Sequence, residues 1–514
     1  MRRNAPTTAR ERQGQASASW RPGLGSSRYW YLLAVVAAGL TAAATLRYGS
    51  LVPAGLFVVL SVLAMTAMVF RYPHRGLWLL AVALPFERLG TLDLGFFTLK
   101  AGHLVSALTL ASLATQSILS RSWRFVRDPL RAPLLLLLAA NVASLIHAVD
   151  LTRGLTLIVQ LMIVLLVYFL TVTLVDRQNL RGVLLALWIG AGAVGLFGLY
   201  QFVGDYAGLP TSLTGLLDTY SGTVNFGFAR IQGPSLEPLY FADYLLVPLL
   251  TAAAFFFGTK GRHRLPLALL LVLLAIVFVL TLARGAYLGF IGGAAFLTWQ
   301  YRREIFTARV ITGLAAVLSL IAIAVVYLLL QNTTRGGDPL AAFAKQIGVS
   351  GRDVSSQQRL GSIDAAKQLV NDRPLTGVGV GNFGEYYQDP MTGLNTVQKR
   401  QVVNNQTLET LVETGLFGLL SLILMAIVLF ERTRYALKKV GGDAAARAAL
   451  VGAAAAVVAI AIQAQSFSAL YLLHVWFAIG LLVAVQNIVL LQAQGQSLGV
   501  TSSRGPGRKG EGKA

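Results

Sequence analysis

About fourteen apolar runs, separated by short polar segments, fill most of this chain: residues 29–46, 51–70, 76–90, 98–119, 132–149, 153–175, 180–203, 237–258, 265–282, 284–300, 308–330, 406–430, 446–466 and 469–493. Crossing about 30 Å of hydrocarbon takes roughly 20 apolar residues as a helix. Each run is therefore predicted as a membrane helix. The third is short and holds Pro85, which predicts a broken or re-entrant segment.

One long polar interval interrupts the pattern, from Gln331 to Gly418, and the functional site is expected to draw half its residues from it. Leu360, Ile363, Leu369 and Val370 recur there at helical spacing, with Ser355 and Ser356 as caps and Pro374 as the stop. Gly377, Gly379, Gly381 and Gly384 follow, a loop suited to positive φ or close backbone approach. Val403-Asn404-Asn405-Gln406 then leads into the next apolar run.

Composition agrees. The 514 residues are 55% hydrophobic and 13% charged, about half the charged share of soluble domains. The fold class read from this is all-α: a polytopic membrane protein of about 12–14 helices with one long, partly helical loop outside. Residues 1–28 and 495–514 read as disordered cytoplasmic tails around a membrane domain at 29–494. Without cysteine, and with five scattered histidines, no metal site is expected.

The net charge of +21 does not point to nucleic acid, because the basic residues sit in short clusters between apolar runs. With the N-terminus cytoplasmic, every inside segment is basic, among them Arg71 with Arg75, Arg177 with Arg181, and the group Arg432, Arg434, Lys438 and Lys439. That is a positive-inside pattern. It requires residues 265–300 to be two spans split near Ala283-Arg284-Gly285, since one helix would be about 54 Å long. The loops 204–236 and 331–405 then lie outside.

Arg284 falls on the side where basic residues are otherwise avoided. An arginine within a membrane costs about 2.5–3.5 kcal/mol on insertion scales. It reads either as snorkelling to headgroups or as a cation facing an anionic substrate. Arg230 and Glu237 frame the end of the first outer loop. They read as an interfacial salt bridge at the start of a helix, or as an anion-binding arginine beside an acid/base carboxylate. Arg359, with Arg352 and Arg373 nearby, reads as a solvated helix face or as part of a phosphate grip. The glycine cluster is not a P-loop, because no Gly-Lys-Ser/Thr follows.

Four ordered blocks within residues 130–490 resemble the O-antigen ligase and O-antigen polymerase superfamily of bacterial envelope glycosyltransferases. They are Arg230-Ile-Gln-Gly-Pro-Ser-Leu-Glu-Pro; Leu280-Thr-Leu-Ala-Arg-Gly-Ala-Tyr-Leu-Gly; Arg359 with Asn371-Asp-Arg-Pro-Leu-Thr-Gly-Val-Gly-Val-Gly-Asn-Phe; and Asn404-Asn-Gln-Thr-Leu-Glu-Thr-Leu-Val-Glu-Thr-Gly-Leu-Phe-Gly-Leu. The resemblance implies a GT-C-like, metal-independent enzyme of the bacterial cytoplasmic membrane with no cofactor. It would take a glycan from an undecaprenyl-diphosphate carrier and pass it to a lipid, protein or growing polysaccharide on the outer face.

In that frame Arg230, Arg284 and Arg359 bind the lipid diphosphate, Asn404 positions the acceptor, and Glu237 or Glu413 serves as acid/base. The chain departs from the pattern twice. Ala283 replaces a serine before Arg284, and Asn404 replaces the histidine thought to help activate the acceptor hydroxyl. Asparagine hydrogen-bonds but takes no proton at neutral pH. Two other readings stand beside this one: a transporter or flippase of lipid-linked sugars, and a catalytically inactive family member. A transporter would more often show two related halves, and none is visible.

Overall fold

A computed structural model of the chain describes residues 51–88, 91–93, 98–121, 128–222, 229–261, 264–307, 354–387 and 401–502. About 80% of the structure is helical. The long helices are α1 (Leu51–Arg71), α2 (Pro73–Ala83), α3 (Ala101–Leu119), α4 (Arg131–Ser144), α5 (Leu151–Leu174), α6 (Leu180–Tyr206), α7 (Pro238–Gly258), α8 (Arg264–Leu280), α9 (Arg284–Gln300), α10 (Val354–Asp372), α11 (Gln406–Lys439), α12 (Ala444–Gln463) and α13 (Leu473–Ser502). Among the described residues, strand is confined to one two-residue pair, Leu92–Asp93 against Thr98–Leu99, antiparallel. The chain divides into a unit of residues 1–68, described only for α1, and a unit of residues 69–514 that holds everything discussed below.

Among the described residues, seven helices are long and apolar enough to cross a membrane: α3, α5, α6, α7, α11, α12 and α13. The chain is an all-α, multi-pass membrane protein. Three shorter apolar helices accompany these, in α1, α4 and α8. The expected runs 29–46 and 308–330, with most of both predicted tails, fall outside the described residues. The third run is broken as Pro85 predicts: α2 stops at Ala83 and passes into a 3-10 turn, Leu84–Phe86. At the other end of the chain α13 runs on past Gln494 to Ser502.

The predicted split within 265–300 is present. α8 and α9 have 17 residues each. The chain turns between them at Leu282, whose φ is +52°. The Leu280 carbonyl, orphaned at the α8 terminus, accepts Ile231 N–H of the incoming loop (3.1 Å).

The centre of the bundle is α12, an alanine-rich helix against α7 and α9. At Gly289, Gly293 and Gly452 an added Cβ would fall within 3 Å of a neighbouring helix's backbone. Small residues at that seam let the helices approach closely, which is how packing holds membrane helices together. α13 is buried against α5 and is apolar on every face.

The loop helix α10 keeps most of its predicted face, with Leu369 and Val370 packed on a small core and Ile363 half-buried, and departs from it at Leu360. It already runs from Val354, so Ser355 and Ser356 lie inside its first turn rather than ahead of it. Leu360 is exposed, while Ala366 is buried in a small separate core with Phe383, Tyr387, Val403 and Val412. Helical spacing identified an apolar stripe, but the partner's position decided which side of it is covered. The prediction that the helix ends before Pro374 agrees with its last residue, Asp372.

Candidate functional site

The glycine loop and α11 are built for each other. α11 breaks at Gly415 (φ 68°, ψ −164°), which leaves carbonyls of the turn before it without helical donors. Two amides of the glycine loop take them: Val378 N–H donates to Val412 O (2.9 Å) and Gly379 N–H to Glu413 O (3.0 Å). Leu416 N–H donates back to Pro374 O (2.8 Å). Gly377 has φ +71°, and a Cβ there would lie 2.4 Å from the Glu413 backbone. Gly415 has φ +68°, and its Cβ would lie 2.1 Å from Leu375 O. Only glycine meets both demands, a left-handed φ and backbone at van der Waals distance.

The far side of this loop is tied to the α4–α5 junction. Val380 N–H donates to Ser144 Oγ (3.0 Å), and Thr376 Oγ1 pairs with His147 Nδ1 (3.1 Å). Asn382 Oδ1 accepts Asp150 N–H (2.6 Å). Asp150 in turn caps α5 by accepting Arg153 N–H (2.9 Å). The chain of contacts runs from the α11 break to Arg153 and sets that arginine opposite Glu409 and Glu413. The Glu413 carboxylate also meets the amides of Gly381 and Phe383. Glu409 Oε2 accepts Val403 N–H (3.0 Å) and Ser468 Oγ–H (2.6 Å).

These side chains line one cavity of about 410 Å³, within the usual range for ligand pockets. Its opposite wall comes from the α2–α3 connection and the start of α7. Lys100 Nζ is 3.1 Å from Glu87, Arg88 is 3.0 Å from Glu237, and the Arg88 guanidinium stacks 3.7 Å above the Tyr240 ring. The two ion pairs differ in kind. Lys100–Glu87 is largely buried, with 15% and 7% of the side chains exposed, while Arg88–Glu237 is 40% and 32% exposed. Removing one partner of a buried pair costs about 3–5 kcal/mol, but an exposed pair contributes only about 0–1 kcal/mol. Lys100–Glu87 therefore fixes the wall, whereas Arg88 and Glu237 can exchange partners at little cost. Arg88→Ala is expected to leave thermal stability within about 1 kcal/mol of the native protein, a point checked by unfolding in detergent; a larger drop would mean the pair is structural.

All these elements meet at one end of the bundle. The ties are Asn382 to Asp150, Glu87 Oε2 to Leu473 N (3.2 Å), Ile231 to Leu280, and Glu409 to Ser468. Among the described residues, the basic pairs Arg71 with Arg75 and Arg177 with Arg181 sit at the opposite helix ends, where Arg177 pairs with Asp443 (3.4 Å).

Of the residues singled out in the sequence, Glu237, Asn404 and Glu413 line the cavity together. The Glu237 carboxylate pairs with Arg88, 149 positions away. It is the N-cap residue of α7 but makes no side-chain cap bond. Arg230 and Arg284 are not among the lining residues. They form a neighbouring group in which the Arg284 charge acts on Arg230, and the Arg230 guanidinium lies 5.7 Å from the Tyr220 ring. Burial pulls Arg230 below the ordinary arginine range. Tyr220 connects the two regions: burial raises its pKa, as does Glu237, while Arg230 and Arg88 oppose the rise. Arg359 lies on α10, and its side chain falls outside the described residues, as does Arg352.

Sequence reasoning missed Arg153, Lys100, Glu87, Glu409, Tyr471 and the pair Asp243–His474, all on the cavity or against it. Asp150 before Arg153, an N-cap signal at the start of an apolar run, was the one local clue. Tyr471, half-buried beside Glu413 and Glu409, has its pKa raised well above the ordinary range, first by loss of solvent and then by those carboxylates.

Comparison with known proteins adds one finding. Residues 269–423 match the Wzy_C family model, O-antigen ligase. The match takes in Arg284, α10, the glycine loop, Asn404 and Glu413, and stops short of Arg153, Arg230, Glu237 and His474. No curated protein matches the chain. That segment is similar to O-antigen ligases, which supports the resemblance to the O-antigen ligase/polymerase superfamily, and it lies in a bundle of apolar helices with a polar cavity where it meets the other helix ends.

Proposed function

We propose that the chain transfers or polymerises a glycan from an undecaprenyl-diphosphate-linked donor onto an acceptor at the outer face of the bacterial cytoplasmic membrane. The family supports glycan transfer in cell-surface polysaccharide synthesis. The observation that carries the finer reading is the cavity, which gathers cations, carboxylates and Asn404 at the helix ends opposite the basic segments. Under the positive-inside rule those ends face outward.

Arg230, Arg284 and Arg359 hold the diphosphate. As the acceptor oxygen bonds to the anomeric carbon, the bond to the diphosphate breaks and its electron pair leaves with the lipid. Cations fixed beside the diphosphate stabilise that charge as it develops. Asn404 positions the acceptor by hydrogen bonds. The backbone favours this role: Asn404 has φ +58°, a conformation asparagine tolerates better than most residues. Glu237 or Glu413, on opposite walls of the cavity, is the acid/base candidate. No metal takes part in this scheme.

The test uses the purified full chain in lipid nanodiscs with lipid-linked oligosaccharide extracted from the producing cells. Free undecaprenyl diphosphate and lengthened or transferred glycan should appear together. Donor binding without either product would favour a flippase or an inactive member and overturn the proposal.

A further inference from the structure

His474 and Asp243 form a buried pair that the scheme above does not use. His474 is the second residue of α13, and Asp243 lies in the first turns of α7. His474 Nε2 is 2.8 Å from Asp243 Oδ2. Asp243 is 0% exposed, and its Oδ1 has no hydrogen-bond partner among the described residues. The other ring nitrogen, Nδ1, lies 4.0 Å from Glu87 Oε2, which is too long for a direct hydrogen bond. Glu87 itself is held by Lys100 and by Leu473 N–H. The Tyr244 ring packs edge-on at 6.1 Å. His474 lines the same cavity as Asn404, Glu409 and Glu413.

We propose that His474, oriented by Asp243, rather than Glu237 or Glu413, is the catalytic base that accepts the proton of the incoming hydroxyl, the task that Asn404 cannot perform. This inference rests on the glycan-transfer reading. A carboxylate at Nε2 fixes the ring proton there and leaves the Nδ1 lone pair to accept, as in other carboxylate–imidazole pairs. The gap between Nδ1 and Glu87 is where the hydroxyl enters. Its oxygen bonds to the anomeric carbon, its proton passes to Nδ1, and the carbon–oxygen bond to the diphosphate breaks with the electron pair leaving on the lipid. The imidazolium then stands between Asp243 and Glu87, two carboxylates that stabilise its charge until the proton passes to water. The other charged or titratable groups facing this spot are Lys100 beside Glu87, Tyr244 on α7, and Arg153, Glu409, Glu413 and Tyr471 across the cavity.

The test is the pH–rate profile of undecaprenyl diphosphate release by the full chain in nanodiscs, with lipid-linked oligosaccharide from the producing cells as donor and acceptor pool. The native protein is expected to lose rate on the acid side, where the base is protonated. His474→Gln should lower the rate about 10²-fold, the usual contribution of a general base, keep donor binding, and lack the acid limb. Asp243→Asn, an isosteric change, should lower the rate and displace the limb. A native profile flat on the acid side overturns the proposal, as does His474→Gln with native rate and profile. If His474→Gln does not fold, native rate and profile in Asp243→Asn overturn it instead. Native protein that releases nothing overturns the glycan-transfer reading and this inference with it, whereas native release unaffected by either variant removes only the inference.

Discussion

Gly377→Ala is expected to undock the glycine loop and abolish glycan transfer. The left-handed φ of +71° costs a non-glycine residue about 1–2 kcal/mol. The new methyl would also stand 2.4 Å from the Glu413 carbon and oxygen. That obstacle is backbone and cannot rotate away, so overpacking adds about 1–3 kcal/mol. The total, about 2–5 kcal/mol, falls on the two amide–carbonyl bonds that register Glu413 against Gly381. Loss of the loop would expose Glu413 and free the Asn382 contact that positions Arg153. The check has two parts: limited proteolysis of the 373–405 segment, which should become rapid, and undecaprenyl diphosphate release, which should vanish. Gly442→Ala is a suitable control, since a Cβ there meets nothing within 4 Å. A Gly377→Ala protein with native proteolysis and native activity would mean the loop does not shape the site.

The largest effect on chemistry is expected from Arg230→Ala combined with Arg284→Ala. Removing one preorganised donor from a developing charge costs about 10²–10³-fold in rate. Two arginines on the same diphosphate predict a fall of about 10⁴-fold in release, larger than any single change on the opposite wall. The lysine versions should recover only part of it, because an ammonium lacks the planar fork that meets two phosphate oxygens at once. Stability should change little for Arg284, which is exposed at the start of α9, and more for Arg230, which is half-buried against Tyr220. Measuring release and thermal unfolding on the same samples separates the two effects. A double variant that folds and retains more than a tenth of the native rate would move the diphosphate elsewhere, with the cavity cations Arg88, Lys100 and Arg153 as the next place to look.

Much of the fold was legible because each signal for it is local. An apolar run either reaches the length of a span or does not. The split near Ala283-Arg284-Gly285 followed from length and the alternation of basic segments, and Pro85 announced the end of α2. The glycine spacing at 377, 379 and 381 marked a backbone demand, and the structure shows its source in the carbonyls freed by the kink at Gly415. The site was only half legible, because its other half is made by distant pairings. Nothing near Glu87 in the sequence reveals Lys100, Leu473 or His474 as its neighbours. Asp243 and His474 sit in apolar runs where a lone polar residue gives no direction. Leu360 shows the same limit on a smaller scale. Its spacing fits a buried stripe, yet Phe383 and Val412 cover Ala366 and leave Leu360 bare.

The central claim is that the cavity opens to the outside and receives the lipid-linked donor. The chain has no cysteine, so Val402→Cys on the cavity wall supplies a single reporter. The measurement is its rate of labelling by a membrane-impermeant maleimide in spheroplasts, with and without a short-chain polyprenyl-diphosphate-linked glycan. The account predicts labelling from the outside, slowed when the glycan is present. Labelling only after lysis, or at a rate indifferent to the glycan, would contradict it.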